Sequence, residues 1–461
     1  MNSLRRKLRR FRVANSKLET SQPAVKIIPM RIRPARRIKG RLRVPGDKSI
    51  SHRAALISAI ANGTSTITNF ATGADCAATV ACLKELGVAI TERHRDLIVK
   101  GVGRTGLTPP SHSLDCGNSG TTMRLLTGVL AGQSFTSSLT GDESLRSRPM
   151  KRIIEPLGLM GASITSQAGK PPLTVAGTPS LRGIKYELPI ASAQVKSCLL
   201  MAALNASGQT RVSESVNQSR DHTERMLQWF KAPVSLEKSA ERYSTTVAGP
   251  VDLQAHDVSI PGDISSAAYF IAAAALLRNS DLQIEDVGLN QTRTGFLSIF
   301  RSAGLDVTVS NEREECHEPR GTLHVLGKKP TLPLEAPLSG SRVAQLIDEL
   351  PLLAVLGTQT PGGIEIRDAE ELRLKESDRI DATVKNLRAM GATVREFDDG
   401  MLVSPAQLKG AHLESCCDHR IAMAFTVAAL IAEGESEFDD TECVGVSFPE
   451  FFELLESIVE R

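Results

Sequence analysis

Aromatic side chains are scarce in this chain of 461 residues: one tryptophan, three tyrosines and thirteen phenylalanines, 4% of the whole. A protein that grips single strands by stacking bases needs more of them, so no nucleic-acid partner is expected. The longest unbroken apolar run, Ala267 to Leu277, is too short to cross a bilayer, and no membrane partner is expected either. The eight cysteines (76, 82, 116, 198, 316, 416, 417, 443) include no CxxC pair, and no histidines stand at zinc-ligand spacing. Without an apolar signal core ahead of them they read as reduced, mostly buried thiols in a cytoplasmic protein. A structural metal is not expected. No GxxxxGK(S/T) stretch occurs, so a Walker-type nucleotide cradle is unsupported as well.

What is present is ordinary in bulk and uneven in detail. Hydrophobic residues make up 41% and charged residues 23%, as in most soluble globular proteins, and the length favours two domains. The net charge of +3 hides an asymmetry: residues 1–43 hold fifteen Lys/Arg against Glu19, a net of +14, which leaves −11 for the rest. The arm Arg5-Arg6-Lys7-Leu8-Arg9-Arg10-Phe11-Arg12 reads as a disordered leader over 1–24, with organelle targeting and nucleic-acid contact as alternatives.

One pattern organises the remainder. Pro45-Gly46-Asp47-Lys48-Ser49 has a near twin in Pro261-Gly262-Asp263-Ile264-Ser265, and weaker relatives begin near Asn118, Ser192, Ser341 and Asp418. A unit of about seventy residues therefore recurs six times. Each opens with an apolar helix, predicted over 52–61, 121–131, 193–205, 265–277, 344–356 and 419–432. A short strand follows, then a second, amphipathic helix over 77–86, 150–160, 222–230, 294–303, 377–390 and 449–459, and further strands. The class is α/β in the mixed α+β sense, two equivalent halves of three units. The strong pair at Pro45 and Pro261 marks the chain crossovers. One domain is expected over 47–261, the other over 25–46 joined to 262–461.

Polar helix starts followed by Arg or Lys are anion-binding surfaces, since free N–H groups and the macrodipole point the same way. Lys48, Ser49 and Arg53 make one such start, with a capped helix among solvated cations as the plain alternative. Gly117-Asn118-Ser119-Gly120 makes another, its two glycines allowing close backbone approach to a ligand, with a glycine-rich turn capping a helix as the plain alternative. Arg146, Arg148, Ser192, Gln194, Lys196, Arg220 and Arg420 add donors. Asp348 lies inside an apolar run, where an unpaired carboxylate is costly, so it either meets a cation or faces a cleft as a general base. Glu376 sits between Lys375 and Arg379, either a salt-bridged helix start or a carboxylate held for proton transfer. His52, His222 and His419 read as hydrogen-bonding neighbours rather than ligands.

These motifs, in order from residue 26 to 461, resemble the 5-enolpyruvylshikimate-3-phosphate synthase family, and Arg148-Pro149-Met150, Ser192-Ala193-Gln194-Val195-Lys196 and Asn290-Gln291-Thr292-Arg293 resemble its bacterial class II branch. The resemblance implies an enolpyruvyl transferase fold, two domains of three βαβαββ-type units about a pseudo-threefold axis. It implies transfer of the enolpyruvyl group of phosphoenolpyruvate to the 5-hydroxyl of shikimate 3-phosphate, with phosphate released. This is a step of the shikimate pathway to chorismate and the aromatic amino acids, run by a monomer without cofactor. Lys48, Ser49, Arg53, Ser192, Ala193, Gln194, Arg220, Asp348 and Lys375 are implied for shikimate 3-phosphate. Lys48, Gly120, Arg148, Gln194, Arg379 and Arg420 are implied for phosphoenolpyruvate. Asp348, Glu376 and Lys48 are the implied catalytic groups, and glyphosate is implied to compete beside Gly120. Val446 and Glu371 depart from some members, which carry lysine and asparagine there. The alternatives are the sibling that acts on a UDP-amino sugar, whose mobile loop bears a cysteine that Thr140 to Met150 lacks, and a non-catalytic anion-binding module.

Overall fold

The structure is a computed structural model that describes residues 30–215, 218–334 and 337–461. The leader over 1–24 and residues 25–29 lie outside the described residues.

Six small sheets form, one per repeat. In the second unit Leu114–Asp115 runs parallel to Thr136–Thr140, which pairs antiparallel with Lys170–Ala176, itself antiparallel to Ser163–Gln167. The third unit repeats this order with Lys185–Glu187, Gly208–Ser215, Arg242–Gly249 and Val234–Lys238. Three units borrow a strand from far along the chain. Val258–Ser259 returns to run parallel to Asn62–Thr68 in the first sheet, and Met30–Ile32 completes the sixth by pairing with Ser436–Phe438. Arg37–Leu42 leads the fourth sheet beside Asp281–Gly288, and Val459–Glu460 covers its edge. Pieces of two or three residues carry too little pattern to be read as strands.

The opening helices lie inside, as their all-round apolarity predicts: every residue from Ile264 to Ala275 is buried. Side-chain caps start four of them. Asp47 accepts from the Ile50 N–H, Ser119 from Thr122, Asp263 from Ser265 and Ser266, and Asp418 from Arg420, which satisfies donors that a helix start leaves free. The fifth helix differs from its prediction. It is broken into Ser341–Leu346 and Leu350–Gln359, because Pro351 has no N–H for the Ile347 carbonyl and its ring crowds that turn. The last helix is short, Phe451–Glu456.

Buried apolar side chains gather in two clusters, one drawn from residues 50–260, the other joining 32–44 to 264–458. The chain passes between them twice, side by side: the Asp47 N–H donates to the Pro261 carbonyl at 2.8 Å and Asp263 to Pro45 at 2.9 Å. At Gly46 a Cβ would stand 1.7 Å from the Asn69 carbonyl oxygen, so the crossing admits no side chain there. Among the described residues no helix is long and apolar enough to cross a membrane.

Candidate active site

Between the two clusters lies a cleft of about 910 Å³, measured out into its open mouth. All six opening helices turn an N-terminal end toward it. They contribute Lys48, Ser49 and Arg53; Gly120, Thr121 and Arg124; Ala193 and Gln194; Asp263; Asp348; and His419 and Arg420. The second helices add Asp75, Arg148, Arg152, Arg220, Glu376 and Arg379. Nine Lys/Arg (48, 53, 124, 148, 152, 220, 375, 379, 420) face four Asp/Glu (75, 263, 348, 376). The excess of five positive charges, added to converging helix dipoles, calls for a polyanionic guest.

Ion pairs span the cleft. Arg220 donates to Asp348 at 2.6 Å, Arg148 Nη1 lies 3.4 Å from Glu376, and Arg152 lies 3.6 Å from Glu371. Arg379 is the most heavily shared group: it meets Glu376 at 2.6 Å, Asp418 at 2.8 Å and Asp348 at 3.4 Å. Lys48 pairs with Asp75. Gln194 joins two starts, accepting from Arg124 at 2.7 Å and donating to Thr121 at 2.9 Å.

These contacts set the proton affinities. Burial alone raises Asp348, but Arg220, Arg420 and Arg379 outweigh it and hold the carboxyl well below its ordinary 3.8. Glu376 is likewise held down, burial being overcome by Arg379 and then Arg148. Lys48 is pushed up, since Asp75 more than offsets burial. Burial, then Arg152 and Arg148, brings Arg124 down to about 9. His419 is driven well below 6.5 by burial and by Lys48, so it faces the cleft as a neutral ring.

Of the residues that the resemblance implies for substrates and catalysis, all but Ser192 line the cleft; of the further donors read from the sequence, Arg146 is exposed and Lys196 is buried against Glu214 and Glu224, both away from it. Ser192 stands just outside, as the N-cap of Ala193–Ala203 without a side-chain cap bond. The space beside Gly120 is not open: a Cβ there would lie 2.6 Å from Arg124 Nη1 and 3.4 Å from Arg148 Nη1. Asp75, Asp263 and Arg152 were not picked out as site residues. Arg152 lies in the first turn of Lys151–Leu159, and what marks it is its approach to Glu371. Among the described residues no group of three or more His, Cys, Asp or Glu could hold a metal ion.

A family profile described as EPSP synthase (3-phosphoshikimate 1-carboxyvinyltransferase) matches residues 32–455. The chain belongs to the EPSP synthase family. The 3-phosphoshikimate 1-carboxyvinyltransferase of Koribacter versatilis is 48% identical over 434 residues, covering 94% of this chain and 99% of the relative. That of Citrifermentans bemidjiense is 45% identical over 433 residues, covering 93% and 99%. An EPSP synthase structure from Acinetobacter baumannii superposes with a TM-score of 0.81 at 40% identity, covering 93% of this chain and 98% of that one. The match in sequence and in fold supports the EPSP synthase reading over the UDP-sugar sibling. Glu371 pairs with Lys375 at 2.8 Å and faces Arg152 across the cleft.

Proposed function

We propose that the cleft transfers the enolpyruvyl group of phosphoenolpyruvate to the 5-hydroxyl of shikimate 3-phosphate. The observation that carries this reading is the convergence of six helix starts and nine cations on one basin. Two phosphates and two carboxylates bring about five to six negative charges, close to the excess the walls supply. Lys48, Ser49, Arg53, Gln194, Arg220 and Lys375, with Ser192 and Ala193 at the rim, hold shikimate 3-phosphate. Lys48, Gly120, Arg148, Gln194, Arg379 and Arg420 hold phosphoenolpyruvate, the arginines suiting two-pronged contacts.

The ion pairs explain how weak bases become useful. Substrate anions compete for Arg220, Arg379, Arg420 and Arg148, the groups that hold Asp348 and Glu376 down. Each cation drawn to a substrate returns proton affinity to the carboxylate it leaves. Asp348 then takes the proton of the 5-hydroxyl as its oxygen bonds to C2 of phosphoenolpyruvate. Glu376, with Lys48, supplies a proton to the methylene carbon. In the elimination the Glu376 and Lys48 pair takes a methyl proton back, the C–O bond to phosphate breaks as the double bond re-forms, and the proton held by Asp348 leaves with the phosphate, which restores the site. A closed, dry cleft strengthens each of these charge interactions.

The two clusters act as domains, 25–46 with 262–461 and 47–261, closing on substrate by flexing at the paired crossing strands. The protein works as a cytoplasmic monomer of the bacterial class II branch, and its basic leader takes no part in catalysis. The test is phosphate release from phosphoenolpyruvate with shikimate 3-phosphate or a UDP-amino sugar as acceptor, on the full chain and on a chain lacking residues 1–24. Turnover with shikimate 3-phosphate in both forms is expected. Release driven only by the UDP-sugar, or lost with the leader, would overturn the reading.

Two substitutions probe the phosphoenolpyruvate side. Arg420→Ala should weaken phosphoenolpyruvate more than shikimate 3-phosphate in calorimetry, and equal losses would contradict the assignment. Gly120→Ala should push Arg124 aside and raise KM for phosphoenolpyruvate. It should raise the glyphosate concentration for half-inhibition by a larger factor, and an unchanged ratio of the two would count against placing both at this site.

A further inference from the structure

Buried polar groups that the proposed chemistry leaves unused are concentrated where the two crossing strands meet. Arg293, its side chain 2% exposed, is their hub. Its Nη1 donates to Asp47 Oδ2 at 2.9 Å and lies 3.1 Å from His222 Nε2. Its Nη2 donates to Asp263 Oδ1 at 3.3 Å and to Ser265 Oγ at 2.6 Å. Ser265 in turn donates its hydroxyl to Glu349 Oε1. Glu349 is buried, and its Oε2 has no hydrogen-bond partner among the described residues. Its neighbour in the chain is Asp348.

The break in the fifth helix gives this anchor its importance. Asp348 is carried on a turn between Ser341–Leu346 and Leu350–Gln359, where the helical ladder is interrupted by Pro351. The Glu349 N–H donates to Leu346 at 2.8 Å and the Glu349 carbonyl accepts from Leu353 at 2.9 Å. Sideways, the turn is fastened by the Glu349 side chain on Ser265, in the adjacent helix. Ser265 is held by the same guanidinium that clasps both crossing strands through their cap residues.

We propose that Glu349 is a positioning residue for Asp348, linking the crossing strands through Arg293 and Ser265 to the carboxylate that takes the 5-hydroxyl proton. The inference rests on the role proposed above for Asp348. The charged groups facing Glu349 are Asp348, Arg220, Arg420 and Arg293, with the Tyr269 phenol also near. Burial and then Asp348 push the Glu349 carboxyl up, while the arginines hold Asp348 down. The two neighbouring carboxyls are thereby driven apart in proton affinity, Glu349 upward and Asp348 downward. The Glu349 side chain keeps its bond to Ser265 and so stays turned away from the base beside it.

The test is steady-state kinetics and calorimetry on full-length E349Q, E349A and S265A, with E349A also built into D348N. Glutamine keeps the shape and an acceptor for Ser265, so E349Q should stay within about threefold of the parent kcat. E349A should lose about 10- to 100-fold in kcat with both substrate affinities held within about twofold, the signature of a displaced catalytic group. S265A should fall in the same direction, and it serves as the second probe if E349A folds poorly. In the D348N background E349A should change the residual rate by less than about twofold, because no base remains to be positioned. A parental kcat in folded E349A, an equal loss in the D348N background, or an E349Q as damaged as E349A would overturn the proposal. Failure of the underlying reading shows separately, as an undiminished kcat in D348N alone.

Discussion

Asp348→Asn should lower kcat by about 10²–10⁴, the usual contribution of a general base, while both substrates continue to bind. Binding persists because of what surrounds the carboxylate. Arg220 donates to it at 2.6 Å, and Arg379 and Arg420 lie 3.4 and 3.8 Å away. The asparagine amide keeps the shape of the site but releases those guanidiniums from a competing anion, so calorimetric affinities should hold or tighten. The chemical step has no such substitute, since an amide accepts no proton at working pH. Asp348 was chosen in the sequence for lying in an apolar run, and that run proves to be a helix broken at the carboxylate. A variant that turns over at the parental rate would remove Asp348 from the mechanism.

The second large effect is on stability. Lys196 is wholly buried, its Nζ 2.6 Å from Glu214 and 2.8 Å from Glu224, both also wholly buried. It also donates to the Ser219 carbonyl at 3.3 Å, beside the strand of chain that presents Arg220. Lys196→Ala strands two carboxylates in the interior, and breaking a buried pair in this way costs about 3–5 kcal/mol. For a lobe of this size that lowers Tm by roughly 6–20 °C, measurable by calorimetry. Adding Glu214→Gln and Glu224→Gln should recover part of the loss. An unchanged Tm in the single variant would mean that the triad is not what holds this region. The pH dependence has a definite sign. Burial lowers the Lys196 proton affinity, but Glu224 and Glu214 raise it above the ordinary 10.5. The contribution is therefore complete below 10.5 and fades only as pH rises through the higher folded value.

Much of the architecture could be read from the chain because each repeat announces itself locally. The twin motifs at Asp47 and Asp263 are helix caps, and caps are short-range signals. The cleft residues at helix starts were legible for the same reason: Lys48, Arg53, Gly120, Gln194 and Arg420 sit within a turn or so of a cap. What escaped depends on contacts between units. Asp75 opens a second helix as any acidic residue does, and only the folded chain brings it to Lys48. Arg152 owes its place to Glu371 in the other lobe. The returning strands, Val258–Ser259 and Met30–Ile32, are too brief for any pattern to register. The break in the fifth helix had a visible signal, Pro351, which stands in the run among apolar neighbours that favour a continuous helix.

The strand pairing also fixes an order of assembly during synthesis. All segments of the cluster drawn from residues 50–260 are contiguous, so that lobe can close as soon as Val258–Ser259 has left the ribosome. Its companion must wait, because Arg37 and Ile38 pair with Glu460 and Val459 and the gap between them is the whole intervening polypeptide. The lobe that supplies Asp348, Glu376 and Arg420 is thus the late one. Newly made chains should pass through a stage in which half of the cationic wall is finished and the half that carries Asp348 and Glu376 is still unfolded.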